Sequence, residues 1–154
     1  MRLESKASRL IGFPVYAIDS QVKLGEVSEV VVDMISKKIS ALLIQTASII
    51  PYTKAILFES IQKIDDHHIW VSSEKAVIRL PEYSRPAYNA EFKSNIFKKR
   101  LVDDKNAVVG RVQDLAYDAE TGVMAGFVVS KGFLRDLATG RILHKMDENL
   151  KIIK

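Results

Sequence analysis

The chain contains no cysteine, so no disulfide can staple it, and its thiol-free composition fits a reducing cytoplasm. Long apolar runs are missing as well. Stretches such as Ala41 to Ile44 fall far short of the ~20 residues that a membrane helix needs, so no membrane span is expected. Met1 to Ser8 is polar and charged and lacks the apolar core of a secretory signal, which makes a soluble cytoplasmic protein the expectation. Charge of one sign is scarce: 23 Lys and Arg stand against 19 Asp and Glu, a formal +4. Dedicated nucleic-acid proteins concentrate more basic charge than this on one face. No glycine pattern of the phosphate-binding kind is present, and no Ser or Asp stands in a nucleophile context beside a histidine. The chain is therefore not expected to be an enzyme, and no cofactor and no metal site is expected.

What the chain does have is an internal echo, 85 positions apart. Leu24-Gly25-Glu26-Val27 recurs as Val109-Gly110-Arg111-Val112, and Val30-Val31-Val32-Asp33 as Leu115-Ala116-Tyr117-Asp118. Ile39-Ser40-Ala41-Leu42-Leu43-Ile44 recurs as Met124-Ala125-Gly126-Phe127-Val128-Val129. A repeat in a chain of 154 residues implies two small copies of one fold. Units of roughly 70 residues lie near the lower limit for burying a core unaided, so docking of the halves on each other is an expected source of burial.

Each copy reads as a series of strands. A short helical turn precedes Gly12-Phe13-Pro14, then a strand Val15 to Ile18, a turn, and a second strand Lys23 to Asp33. The apolar positions shared by the copies in this second strand are Val27/Val112, Val30/Leu115 and Val32/Tyr117. Their first step is three residues where strand alternation calls for two. A β-bulge at Ser28-Glu29 and Gln113-Asp114 restores one apolar face, and bent, bulged strands are how small barrels close. Asp118 to Gly122 then reads as a hairpin turn with Gly122 in the left-handed region, where the first copy carries Lys37. The third strand, Ile39 to Gln45 and Met124 to Ser130, is apolar on both faces and needs two buried surfaces. Glu59 to Ile64 reads as a turn and Ile69-Trp70-Val71 as the last strand of the first copy. The boundaries are a first domain 1–73, a linker 74–94 containing Pro81 and Pro86, and a second domain 95–154.

Leu10-Ile11-Gly12-Phe13-Pro14-Val15, followed by Gly25, Val27 and Asp33, resembles the outline of the PRC-barrel domain, the family of the cytoplasmic domain of the photosynthetic reaction centre H subunit. The second copy matches from Leu101 onward through Gly110, Asp118 and Gly122, without the opening Gly-x-Pro. Ser130-Lys131-Gly132-Phe133 with Asp136 and Gly140-Arg141 is similar to the second half of tandem PRC-barrel proteins of bacteria related to Bacillus. The resemblance implies a mainly β fold of two small PRC-type β-barrels in tandem with short helical turns. It also implies docking onto larger assemblies, since relatives serve in a reaction centre, in ribosome maturation and in cell division. A membrane-associated complex is possible by the same analogy.

Three places are candidate sites. Where the repeat breaks, Phe133, Leu134, Arg135, Asp136, Leu137 and Arg141 combine apolar and charged side chains in a loop suited to a partner protein or a second copy. Its plainer role is to cover the open end of the second barrel. Lys93, Lys98, Lys99 and Arg100, interleaved with Phe92 and Phe97, follow the logic of single-strand binding and give the alternative reading, RNA or a ribosome precursor. Asp65-Asp66-His67-His68 offers imidazoles and carboxylates of the kind that hold a transition metal, but neighbours in a strand point apart, so it is read as a solvated turn. His144 stands alone in a strand pattern with no catalytic motif around it.

Overall fold

The computed structural model describes residues 5–46, 53–80, 90–92, 96–132, 142–145 and 150–153. It is mainly β, and among the described residues the helical segments with given bounds are short 3-10 turns. The first copy begins with β1 (Ser5–Lys6) and a 3-10 turn (Ala7–Leu10), and continues through β2 (Pro14–Ala17), β3 (Lys23–Asp33), β4 (Lys38–Gln45) and β5 (Thr53–Leu57). The segment 59–64, read above as a turn, is instead a 3-10 turn (Phe58–Ser60) followed by β6 (Ile61–Ile64), which pairs with β7 (Ile69–Val71). The apolar ends of β6 earn it a place beside β7: Ile61 and Ile64 both pack against the core.

The connection between the copies also holds strands. After a 3-10 turn capped by Ser73 Oγ come β8 (Val77–Leu80), paired with β5, and β9 (Ala90–Phe92), paired with β3. The second copy comprises β10 (Arg100–Val102), β11 (Val108–Tyr117), β12 (Met124–Ser130), β13 (Ile142–Lys145) and β14 (Lys151–Ile153). Two curled sheets result, β6-β7-β2-β3-β4-β5-β8 and β13-β12-β11-β10-β14.

The shared sequence features have shared structural causes. The register of β3 on β4 shifts between Val27 and Glu29, and that of β11 on β12 between Val112 and Asp114. This is the bulge that the three-residue apolar step requires, and it buries Val27, Val30 and Val32 together, like Val112, Leu115 and Tyr117. Asp33 Oδ1 accepts the backbone N–H groups of Ile35 and Ser36, and Asp118 Oδ1 accepts those of Glu120 and Thr121. Those donors hold the Asp33 carboxyl below its usual range. Gly122 has φ of 77°, and Lys37 takes up the same left-handed conformation at 56°.

The leading segments cross over. β1 belongs to the first copy but pairs with β11, Ser5 opposite Tyr117 and Lys6 opposite Ala116. β9 leads the second copy but pairs with β3, Glu91 opposite Val32 and Phe92 opposite Val31. The same reciprocity governs the hairpin tips: Ile39 donates its N–H to the Gly122 carbonyl, and Met124, the counterpart of Ile39, donates to the Lys37 carbonyl, each at 2.8 Å. The opening of the second copy follows suit. Lys98, with φ of 68°, donates to Val112 O as Gly12, with φ of 86°, donates to Val27 O. A lysine thus fills the place of the missing opening glycine. The halves are related by an approximate two-fold and exchange their leading strands.

One continuous apolar cluster joins both copies, including Leu10, Val15, Leu42, Ile56, Leu101, Leu115 and Phe127. Phe58 and Tyr117 meet across it edge to face, with ring centroids 6.3 Å apart. Tyr117 is fully buried, and that burial pushes its phenol up to about 12, against a smaller opposing effect of a hydrogen bond with Ser5. The folded state therefore favours the neutral phenol. Its contribution to stability is complete below pH ~10 and is lost as pH climbs from ~10 to ~12. Urea melts at both ends of that window should show a loss of about 2 kcal/mol that Tyr117→Phe lacks. Equal alkaline losses in both proteins would exclude this role.

The copies differ in how their sheets close. β7 runs parallel to β2, with Val15, Tyr16 and Ala17 opposite Ile69, Trp70 and Val71. β14 runs antiparallel to β10, with Arg100, Leu101 and Val102 opposite Ile153, Ile152 and Lys151. The β6–β7 hairpin of the first copy is responsible, because it reverses the chain once more before the closing slot is filled.

Candidate functional site

Two surfaces combine exposure with unusual composition. The first is the outer face of β4, β5 and β8. Register places Ala41 opposite Leu57, Leu43 opposite Ala55, and Ala55 opposite Ile78, so these five apolar side chains share one side of the sheet. The opposite side carries the buried Leu42, Ile44 and Ile56. Ala41 and Leu43 are half-buried, and Leu57 and Ile78 are each 37% exposed. This is the second surface that the doubly apolar third strand calls for. In the second copy the matching strand is better covered, with Gly126, Phe127, Val128 and Val129 all buried.

The second surface is basic. Arg100 on β10 lies directly opposite Arg111 on β11, and both are exposed. Arg111 Nη1 donates to the Lys98 carbonyl at 2.9 Å, which draws the exposed Lys98 to the same place. Lys99 is half-buried. Phe97 is packed against the core and is not presented as a stacking platform beside the cations. Lys93 lies outside the described residues, and so does the side chain of Phe92.

The PRC-barrel domain model matches residues 3–77 and again 89–154. The chain belongs to the PRC-barrel family. The two matches are the two copies of the repeat, so this is a tandem PRC-barrel protein. No curated protein matches the chain closely enough to serve as a named relative.

In the PRC-barrel frame the signature residues are structural. Gly12 permits the turn into β2, which Pro14 opens, and Asp33 and Asp118 cap the hairpin turns. Gly25 and Gly110 are places of close backbone approach: an added Cβ would stand 2.6 Å from the carbonyl oxygen of Gln45 or of Ser130. At Gly122 an added Cβ would strike the Phe58 ring at 2.8 Å.

The other candidates divide as follows. Phe133, Leu134, Arg135, Asp136, Leu137 and Arg141 lie outside the described residues, as does the side chain of His144. Asp65 organises the β6–β7 turn, accepting from the backbone N–H groups of His67 and His68, from His68 Nδ1 at 3.2 Å and from Trp70 Nε1 at 3.1 Å. Those bonds, the His67 N–H first, hold its carboxyl far below the usual range. The rings of Tyr16, His68 and Trp70 pack on one another with centroids 5.3–5.9 Å apart, while those of His67 and His68 stand perpendicular at 6.3 Å. Among the described residues no group of three His, Cys, Asp or Glu is placed to hold a metal ion. A cleft of about 400 Å³ lies where the hairpin turns meet, lined by Asp33, Lys38, Glu59 and Glu120 among others. No helix of the described residues is long and apolar enough to cross a membrane.

Sequence reading missed Arg111, Leu57 and Ile78. Arg111 had a visible signal, a charge reversal at an aligned position: Glu26 follows the repeat glycine in the first copy and Arg111 in the second. Leu57 and Ile78 had none, because neither lies in the part of the chain that repeats.

Proposed function

We propose that this PRC-barrel protein is a non-enzymatic, cytoplasmic docking or scaffold module that binds another protein or a second copy of itself. The outer face of β4, β5 and β8 carries the reading. Leu57 and Ile78 keep apolar surface in water beside Ala41 and Leu43, and grouped apolar exposure marks interaction sites. The PRC-barrel family often mediates protein interactions, which supports the same reading. The segment Phe133 to Arg141 is proposed as a second contact, together with exposed strand edges.

Changing both Leu57 and Ile78 to Asp tests this. Sedimentation of the full chain and retention of its native partners should show association weakened at least ~10-fold, with the thermal midpoint little changed because both positions are surface-facing. The Leu134→Asp/Leu137→Asp variant reports on the second contact. Unchanged association in both variants would sink the proposal. RNA or ribosome-precursor binding is the alternative, resting on Lys93, Lys98, Lys99 and Arg100, and it predicts a complex that weakens steeply with salt.

A further inference from the structure

The basic surface on the second domain poses a physical question. Like charges directly opposite each other on antiparallel strands repel, yet Arg100 and Arg111 occupy such a pair and Lys98 is drawn beside them. Lys98, Lys99, Arg100 and Arg111 form no ion pair with a described residue. The first domain answers the same two positions differently. Pro14 stands opposite Glu26, and Glu26 accepts from Lys23 Nζ at 2.7 Å. The uncompensated cluster is thus confined to one copy, and nothing in the shared fold demands it.

We infer that the outer face of β10 and β11 docks an acidic segment of a partner polypeptide, with Arg100 and Arg111 gripping its carboxylates and Lys98 at the rim. This rests on the docking function proposed above and specifies the chemistry of the partner. Guanidinium forks bind carboxylates bidentately, which answers the repulsion between the two arginines.

Two observations favour a polypeptide over a nucleic acid. Phe97, which would stack bases, is packed against the core. Beside β10 lies β14, the last strand of its sheet among the described residues, and a strand edge is a place where an extended polypeptide segment can add by backbone hydrogen bonds. Strands stand about 4.8 Å apart, so a Glu on a strand added beyond β14 lies two spacings from β10, within the joint reach of its side chain and Arg100, while Arg111 one spacing further meets a segment lying across the face. Ile153, opposite Arg100, supplies apolar contact between them.

The test uses the full chain and three labelled probes, followed by fluorescence anisotropy: an alternating Glu-Val peptide, its Gln-Val counterpart and an oligouridylate of similar length. The acidic peptide should bind at least ~10-fold more tightly than the Gln-Val peptide and lose at least ~10-fold in the Arg100→Gln/Arg111→Gln variant. Lys23→Gln in the first domain should leave binding unchanged. Circular dichroism of the double variant should show an intact fold, since removing two like charges relieves repulsion. Equal binding of the two peptides, or equal binding by wild type and double variant, would overturn the inference. Tighter binding of the oligouridylate, lost in the same variant, would overturn it in favour of RNA. If the acidic peptide fails while Leu57→Asp/Ile78→Asp abolishes association, the acidic-partner inference falls and the docking function stands.

Discussion

Gly110→Ala is expected to cost about 3 kcal/mol of stability, the largest effect of a single methyl group in this protein. β11 passes so close to the end of β12 that a Cβ at this position would sit 2.6 Å from the Ser130 carbonyl oxygen, with Val129 Cγ1 crowding the same point. A backbone oxygen cannot rotate away as a side chain can. Both strands would have to part where the sheet begins to curl, and overpacking of this kind costs up to about 3 kcal/mol before any pairing is lost. For a chain of this length the thermal midpoint should fall by about 10 °C. Gly12→Ala is the control: its backbone is also left-handed, but its added Cβ meets nothing within 4 Å. Conformational strain alone should cost it about 1 kcal/mol. Equal losses from the two substitutions would show that close approach is not the reason for glycine at 110.

Asp114→Ala should come next, at about 2–3 kcal/mol. Asp114 is only 7% exposed, and it is where the exchanged segments are tied. Its Oδ1 accepts the Ser8 N–H at 3.0 Å and the Leu115 N–H at 2.9 Å, and its Oδ2 accepts the Ser8 hydroxyl. Ser8 lies 106 positions away, in the 3-10 turn that follows β1. Truncation leaves the Ser8 and Leu115 donors without this acceptor in a closed site, and unmet buried donors carry most of the cost. Asp114→Asn keeps one acceptor and should lose about half as much. Ser8→Ala should lose least, because the carboxylate retains two backbone donors. Denaturant melts give the ranking. Hydrogen exchange at Lys6 and Tyr117 should accelerate in step, since β1 is held on β11 beside this contact. A loss below about 1 kcal/mol for Asp114→Ala would remove the tether from the account.

These two residues show how unevenly the structure was legible. Gly110 could be picked out from the repeat with Gly25, and its place on a strand followed from alternation. Its partner across the sheet could not be read. Asp114 was visible only as a polar step inside a bulge, aligned with Glu29. Glu29 makes the same local bond, to the N–H of the residue after it. The tether to Ser8 is long-range and left no mark in either neighbourhood. The basic surface divides in the same way: Lys98 and Arg100 stood out as a run, whereas Arg111 joins them only through strand pairing.

By itself the sequence determined what local geometry controls. Strand period, the displaced apolar step, aspartate-capped turns and the left-handed position at Gly122 are each settled within a few residues by sterics and backbone hydrogen bonds. The tertiary structure alone decided the rest: β1 on β11 and β9 on β3, a parallel closing strand in one domain and an antiparallel one in the other, and the meeting of Arg100 with Arg111. These are competitions among strand edges for partners and among apolar faces for cover. Their outcome depends on which edges and faces the whole chain leaves open, and no short stretch of residues encodes it.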